Sequence, residues 1–152
     1  MATDPTALPH IRPMAPQDLD VVAAIEAATF PNPWPRDSLE YELLENPFCS
    51  AFIIEADERV AGYAYVWVIY EYAHLINFAI EEELRGKGYG EQLLVHLLRH
   101  AKSSGAQRIH LEVRENNEAA IRLYEKHGFT ALGRGERYYS DGTAALFMEA
   151  VL

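Results

Sequence analysis

Residues Ile76 to Gly90, INFAIEEELRGKGYG, carry an apolar stretch through three consecutive glutamates into Arg85-Gly86-Lys87-Gly88-Tyr89-Gly90, after which a helical pattern begins. A strand, a glycine-rich turn and a helix start in that order can cradle an anion. Glycine lets the backbone approach a ligand closely and adopt positive φ. The first-turn N–H groups of a helix have no internal partner and carry the positive end of its dipole. Phosphate is the guest this favours, and Arg85 and Lys87 add local positive charge after Glu81, Glu82 and Glu83. Spacing excludes two common phosphate loops. A P-loop needs Gly-x-x-x-x-Gly-Lys and then a Ser or Thr, whose hydroxyl is missing here, and a dinucleotide turn needs Gly-x-Gly-x-x-Gly, whereas Gly86, Gly88 and Gly90 are spaced two and two. What remains is Arg-x-x-Gly-x-Gly, a pattern that a plain tight turn would also satisfy.

A second candidate lies in Gln107 to Arg114, where Ile109, Leu111 and Val113 face one way and His110, Glu112 and Arg114 the other. A polar face on a central strand points to a cleft, with Glu112 as its carboxylate; a solvated Glu112, or one paired with Arg114, is the plainer reading. Tyr124 sits three residues after Ile121, a spacing that alone fits an aromatic packed in the core. Phe30-Pro31-Asn32-Pro33-Trp34-Pro35 cannot be helical, because each proline pushes the preceding residue out of the α region. Its two aromatics read equally as a substrate wall or as a lid over the core. His96 and His100 are four apart on a helix, but no carboxylate motif accompanies them, so they read as a solvated face rather than a metal site. Cys49 reads as a small buried hydrophobe.

These groups need a scaffold. His10 to Met14 reads as a short edge strand that tolerates Pro13. Pro16 opens a helix with Asp18 in its first turn and Leu19, Val22, Ala23 and Ile25-Glu26 at helical spacing. A second helix runs from about Arg36 to Glu45, with Leu39, Leu43 and Leu44 on one side, and Asn46-Pro47 stops it. Phe48 to Glu55 and Val60 to Tyr70 form a hairpin around Asp57-Glu58-Arg59. The second of these strands is apolar on both faces and therefore central. Ala73 to Ile80 is the strand entering the glycine turn. Beyond Gly90, Leu93, Leu94, Leu97, Leu98 and Ala101 make a buried stripe on a helix ending at Ser103-Ser104-Gly105. Asn116-Asn117 caps a fourth helix, closed by Gly128. Phe129 to Gly133 and Ala144 to Val151 make a closing hairpin. The order β-α-α-β-β-β-α-β-α-β-β predicts an α/β chain around one mixed sheet.

At 152 residues the chain is one domain with a substantial core. No apolar run approaches the roughly 18 residues of a membrane span, and residues 1–10 lack a secretory pattern. A single cysteine excludes an internal disulfide, so a soluble, cytoplasmic protein is expected. A net charge of −10 argues against direct nucleic-acid binding.

The run from Leu111-Glu112-Val113-Arg114 through Asn117, Ala120 and Leu123-Tyr124 to Gly128-Phe129 resembles the LEVRxxNxxAxxLYxxxGF signature of the RimI group within the GCN5-related N-acetyltransferases (GNAT), the group that acetylates N-terminal alanine of ribosomal proteins. The Arg-x-x-Gly-x-Gly turn resembles that superfamily's pyrophosphate loop, and the likeness extends to the Pro-Trp loop, Ile76 to Ile80 and Tyr138-Tyr139. It implies one GNAT-type α/β (α+β) domain over residues 10–152 behind a flexible tail, 1–9. The expected sheet is mixed, mostly antiparallel and six- to seven-stranded, with about four flanking helices. It implies acetyl transfer from acetyl-CoA, with no metal, to a free amine in a ternary complex without an acyl-enzyme.

By the resemblance, Phe78, Ala79 and Ile80 bond the pantetheine arm, Arg85, Gly86, Lys87, Gly88, Tyr89 and Gly90 hold the pyrophosphate, and Asn117 helps order the cofactor. Glu112 matches the general base and Tyr124 the general acid beside the CoA sulfur; Trp34, Tyr138 and Tyr139 match the acceptor side. The implied partner is a protein N-terminus, beginning with Ala and belonging to a small-subunit ribosomal protein, met by a monomer or weak dimer without a membrane. An α-amine with reference pKa near 8 loses its proton more easily than a lysine near 10.4, whose deprotonation costs roughly 3–4 kcal/mol. That difference favours the N-terminal substrate over a lysine or small amine. A non-catalytic acyl-CoA-binding module is the remaining alternative.

Overall fold

The computed structural model describes residues 8–152, so the expected tail falls outside the described residues except for Leu8 and Pro9. The elements in chain order are β1 (His10–Pro13), α1 (Leu19–Thr29), α2 (Arg36–Leu44), β2 (Cys49–Ala56), β3 (Arg59–Ile69), β4 (Tyr72–Ile80), α3 (Tyr89–Ser103), β5 (Arg108–Arg114), α4 (Glu118–Lys126), β6 (Thr130–Gly135) and β7 (Ala145–Val151). They follow the predicted order. The strands form a seven-stranded sheet, β1-β2-β3-β4-β5-β7-β6, in which β4–β5 is the parallel pair and the other neighbours are antiparallel.

Two apolar layers sandwich the sheet. On one face Leu93, Leu94, Leu97 and Ala101 of α3 and Tyr124 of α4 pack with Val66, Leu75, Ile109 and Leu111. On the other, Leu19, Val22, Ile25 and Leu39 from α1 and α2 pack with Ile53, Tyr63 and Tyr65. Arg12 ties β1 to the start of α1 by donating to both oxygens of buried Asp18 at 2.8 and 2.9 Å. Asp18 also accepts the Ala15 N–H at 2.7 Å. The chain therefore begins this segment with a 3-10 turn, Pro16–Asp18, and α1 follows from Leu19.

The sheet has one opening. β4 and β5 pair from Tyr72 to His74 against Arg108 to His110; beyond that point, among the described residues, β4 has no strand on its β5 side. In the same stretch the β3–β4 register shifts, so that Tyr65 faces Asn77 and Val66 faces Leu75, leaving Ile76 as the extra residue of a bulge. A bulge reverses the alternation beyond it. Ala73 and Leu75 face α3 and α4, yet after the bulge it is Phe78 and Ile80 that do so, while Ile76 and Ala79 join the layer under α1.

Some expected boundaries move. The hairpin turn is two residues, Asp57 and Glu58 at φ 55° and 62°, the backbone of a type I′ turn whose twist matches the flanking strands; Arg59 already belongs to β3. Gly90 lies inside the first turn of α3, and the edge strand β6 runs two residues past Gly133. Cys49 is half-buried, with burial pushing its thiol up to about 12. The solvated-face reading of His96 and His100 is corrected. Both rings pack edge-on against Phe52 of β2, with centroids at 4.8 and 5.0 Å.

Burial holds both imidazoles below their ordinary value, helped at His96 by Arg99 and at His100 by His96. In the unfolded chain they take up protons near their reference value of about 6.5. Their contribution to stability is complete above that pH and is lost as pH falls through the lower folded values. The melting temperature is expected to fall between about pH 7 and pH 5, and a His96→Gln/His100→Gln double variant to fall less steeply. An identical slope in both proteins would remove these rings as its source.

Candidate active site

Where β4 and β5 part, a cavity of about 200 Å³ opens, lined by residues of both strands and by Glu26, Phe30, Asn32, Trp34, Asn117, Tyr124 and Tyr139. The sequence-predicted Glu112, Tyr124, Phe78, Asn117, Trp34 and Tyr139 therefore meet at one site. Their faces differ. Glu112 projects opposite to buried Ile109, Leu111 and Val113, whereas Tyr124 belongs to the layer that α3 and α4 build on the other side. The missing ladder lets groups from both sides of the sheet reach one space.

Glu112 is not paired with Arg114. Its Oε2 lies 2.7 Å from His74 Nε2, and His74 sits on the last β4 residue still paired with β5. The His74 ring meets Trp67 edge-on at 5.8 Å, and Trp67 Nε1 donates to Glu42 Oε2 at 2.9 Å. Arg114 instead donates to Asp141 Oδ2 at 2.7 Å. Its guanidinium lies 4.2 Å from the Tyr139 ring centroid, a cation–π contact that fixes Tyr139 in the wall. Tyr138 is outside the cavity lining: it is half exposed and packs on Tyr139 and Phe147 with centroids at 5.1 and 5.4 Å. Of the expected tyrosine pair, only Tyr139 reaches the cavity.

Tyr124 packs between Phe78 and Phe129, at 6.5 and 5.6 Å between centroids. Burial, then the neighbouring Tyr139, pushes its hydroxyl above the ordinary phenol value. Tyr124 is thus a protonated hydrogen-bond donor facing the cavity. Asn117 serves as the N-cap of α4, its Oδ1 accepting from Ala120 N at 3.2 Å, while also lining the cavity.

The glycine turn lies outside the cavity, at the far end of β4. Gly86 and Gly88 have φ of 79° and 86°, a left-handed backbone that glycine adopts without strain. A Cβ at either would meet nothing within 4 Å, so the space above the turn is open. Gly88 is the N-cap of α3, and the first α3-type bond returns from Gln92 N to Gly88 O at 3.1 Å. The N–H groups of Tyr89, Gly90 and Glu91 are therefore the free first-turn donors. A Cβ on Gly90 would touch Ile80, Phe78 and Leu123 at 3.5 to 3.9 Å, so this helix start abuts both β4 and α4. Arg85 turns back: its Nε donates to Ile80 O at 2.9 Å. Lys87 is exposed on the turn. An anionic chain lying across this turn would continue along the unpaired β4 edge, past Ile80 and Phe78, into the cavity.

Sequence reasoning missed two residues here. His74 reads as one polar position in an apolar strand, and nothing local announces that Glu112 lies opposite. Glu26 reads as one more helix carboxylate, yet it is 2 % exposed and lines the cavity. Its Oε1 accepts from the Tyr63 hydroxyl at 2.5 Å and from Asn77 Nδ2 at 2.8 Å, and its Oε2 accepts the Trp34 N–H at 2.9 Å. Burial, then the charge of Glu26, pushes the Tyr63 hydroxyl well above its ordinary value, so Tyr63 keeps its proton.

The chain is similar to known proteins over most of its length. A family described as "Acetyltransferase (GNAT) family" matches residues 19–129. A Bacillus subtilis (strain 168) protein named "Putative ribosomal protein bS18-alanine N-acetyltransferase" is 41% identical over 139 residues, covering 91% of this chain and 92% of its own. The crystal structure of the ribosomal-protein-S18-alanine N-acetyltransferase from Escherichia coli superposes with a TM-score of 0.87 at 28% identity, over 95% of this chain and 94% of that one. Ard1 from Thermoplasma volcanium does so with a TM-score of 0.88 at 26% identity, over 95% and 97%.

Proposed function

This chain belongs to the acetyltransferase (GNAT) family, and from that premise we propose that it transfers acetyl from acetyl-CoA to the N-terminal α-amine of a protein, an alanine of a small-subunit ribosomal protein. The observation that carries the reading is Glu112, which lines the same cavity as Tyr124 and is held from behind by His74 at 2.7 Å. Open space over Gly86 and Gly88 and free first-turn donors of α3 suit a pyrophosphate. The unpaired β4 edge offers backbone partners to the amides of a pantetheine arm. Acetyl-CoA supplies an activated thioester, and the remaining work falls to the chain's own side chains.

The acceptor arrives as an ammonium and must lose a proton to attack. Moving that proton to a carboxylate is uphill by about 5 kcal/mol on reference values, and to an imidazole by about 2 kcal/mol. Glu112 attracts the ammonium and takes its proton, which can pass on to His74 through the hydrogen bond between the two side chains. Tyr124, buried and protonated, donates a hydrogen bond to the sulfur as the C–S bond breaks. A phenol raised above its ordinary value is a reluctant acid, so its service is stabilisation of developing charge more than early proton release.

Two experiments test this. Acetyl transfer is measured on peptides with a free N-terminal Ala, Ser, Gly or Met and on N-blocked peptides bearing one lysine. Transfer confined to free N-termini, with Ala preferred, is expected; transfer to lysine alone would overturn the reading, and acetyl-CoA binding without any transfer would favour a regulatory module. Glu112→Gln is expected to lower kcat by about 100-fold with acetyl-CoA affinity kept, and Tyr124→Phe to act in the same direction. Unaltered kcat in either variant would remove that residue from the chemistry.

A further inference from the structure

The wall of the cavity formed by Phe30 to Pro35 is unusual in what holds it. Prolines at 31, 33 and 35 alternate with Phe30, Asn32 and Trp34 in a segment that is neither helix nor strand. Phe30, Asn32 and Trp34 all line the cavity. Proline has no N–H, so the six-residue segment has only three backbone donors, on Phe30, Asn32 and Trp34. Two of them end on one residue. Phe30 N donates to the carbonyl of Glu26 at 3.1 Å, closing α1, and Trp34 N donates to the Glu26 carboxylate at 2.9 Å.

The two carboxylate oxygens have separate duties. Oε1 is anchored to the sheet through Tyr63 of β3 and Asn77 of β4, and Asn77 in turn accepts the Phe78 N–H at 3.0 Å beside the β4 bulge. Oε2 alone carries the loop. None of the ion pairs among the described residues involves Glu26. Burying a carboxylate with only neutral donors is costly, and a neutral or apolar residue would pack here more cheaply if packing were its only duty. The middle of the wall is held by a hydrogen bond from the Asn32 amide to Ser140 Oγ in the loop before β7.

Building on the N-terminal acetyltransferase reading, we propose that Glu26 is a positioning residue that sets selectivity for the acceptor's first side chain. It fixes the Phe30–Pro35 wall at the width the cavity has. The amine, the acetyl group and that side chain share a space of about 200 Å³, so a wall held close favours a small first residue over a bulky one. Loosening the Trp34 tether lets the wall withdraw and admits larger first residues, while leaving the glycine turn and the α3 start untouched.

The substitution Glu26→Gln isolates the tether. The Gln oxygen still accepts from Tyr63 and Asn77, but its NH₂ then faces the Trp34 N–H, donor against donor. The ratio of kcat/KM for a peptide beginning with Ala to one beginning with Leu is measured in wild type, in Glu26→Gln and in Tyr63→Phe, together with the acetyl-CoA dissociation constant. The expected result is a ratio at least about tenfold lower in Glu26→Gln, wild-type acetyl-CoA affinity, and a wild-type ratio in Tyr63→Phe, which loses only a donor to Oε1. An unchanged ratio in Glu26→Gln overturns the inference, as does an equal loss of rate on both peptides with the ratio kept. Amide hydrogen exchange at Trp34 in the wild-type protein provides a test independent of the variant's folding: slow exchange is expected, and exchange as fast as in a free peptide overturns the tether. If wild type transfers acetyl to neither peptide, the function reading itself fails, an outcome distinct from a failure of the tether.

Discussion

The parting of β4 and β5 governs the rest of this molecule. A continuous sheet would separate the layer under α1 and α2 from the layer under α3 and α4, and no group could act on both sides. Here the parallel pairing lasts from Tyr72 to His74 and stops. The bulge at Ile76 exchanges the faces of the residues beyond it, so Phe78 and Ile80 join α3 and α4 while Asn77 reaches Glu26. The opening thus has one side built on the glycine turn and two helices, where the proposed function seats acetyl-CoA, and another built on the proline loop and Tyr139, where it seats the acceptor. Glu112, projecting from β5, and Tyr124, arriving from α4, reach the same cavity because the ladder between the strands is missing.

The polar groups around the opening are held by specific partners rather than by general burial. His74 holds Glu112, and Trp67 packs on His74 while tied to Glu42. Arg114 is drawn off to Asp141 and stacks on Tyr139, which leaves the neighbouring Glu112 free of a guanidinium that would neutralise it. A base tied up in a strong ion pair is a poor acceptor of protons, so the diversion of Arg114 is part of what equips Glu112 for its proposed role.

Much of this was legible in local sequence. The leucine stripe of α3, the Asn117 cap and the left-handed glycines of the turn are encoded by residues close to one another in the chain, and each formed where expected. What the sequence hid depends on residues far apart. His74 and Glu112 are 38 positions apart, and Glu26 and Asn77 are 51 apart; periodicity along one element cannot report a partner on another. His96 and His100 looked solvated because they lie off the α3 leucine stripe, but Phe52 from β2 extends the buried surface under them. Tyr138 and Tyr139 are adjacent and chemically alike. Arg114 distinguishes them in space by holding Tyr139 at the cavity.

The proposed transfer requires two substrates to approach from opposite faces of the sheet and meet in this gap. The most direct measurement is the affinity of a conjugate in which the CoA sulfur is joined through a CH₂–C(=O) bridge to the α-amine of an Ala-initiated peptide. It is compared with acetyl-CoA alone and with the same peptide, N-blocked, linked through a lysine side chain. The α-amine conjugate is expected to bind at least about 100-fold more tightly than acetyl-CoA, and more tightly than the lysine-linked one. Affinity no greater than that of acetyl-CoA would contradict it, because the gap would then not hold both halves at once.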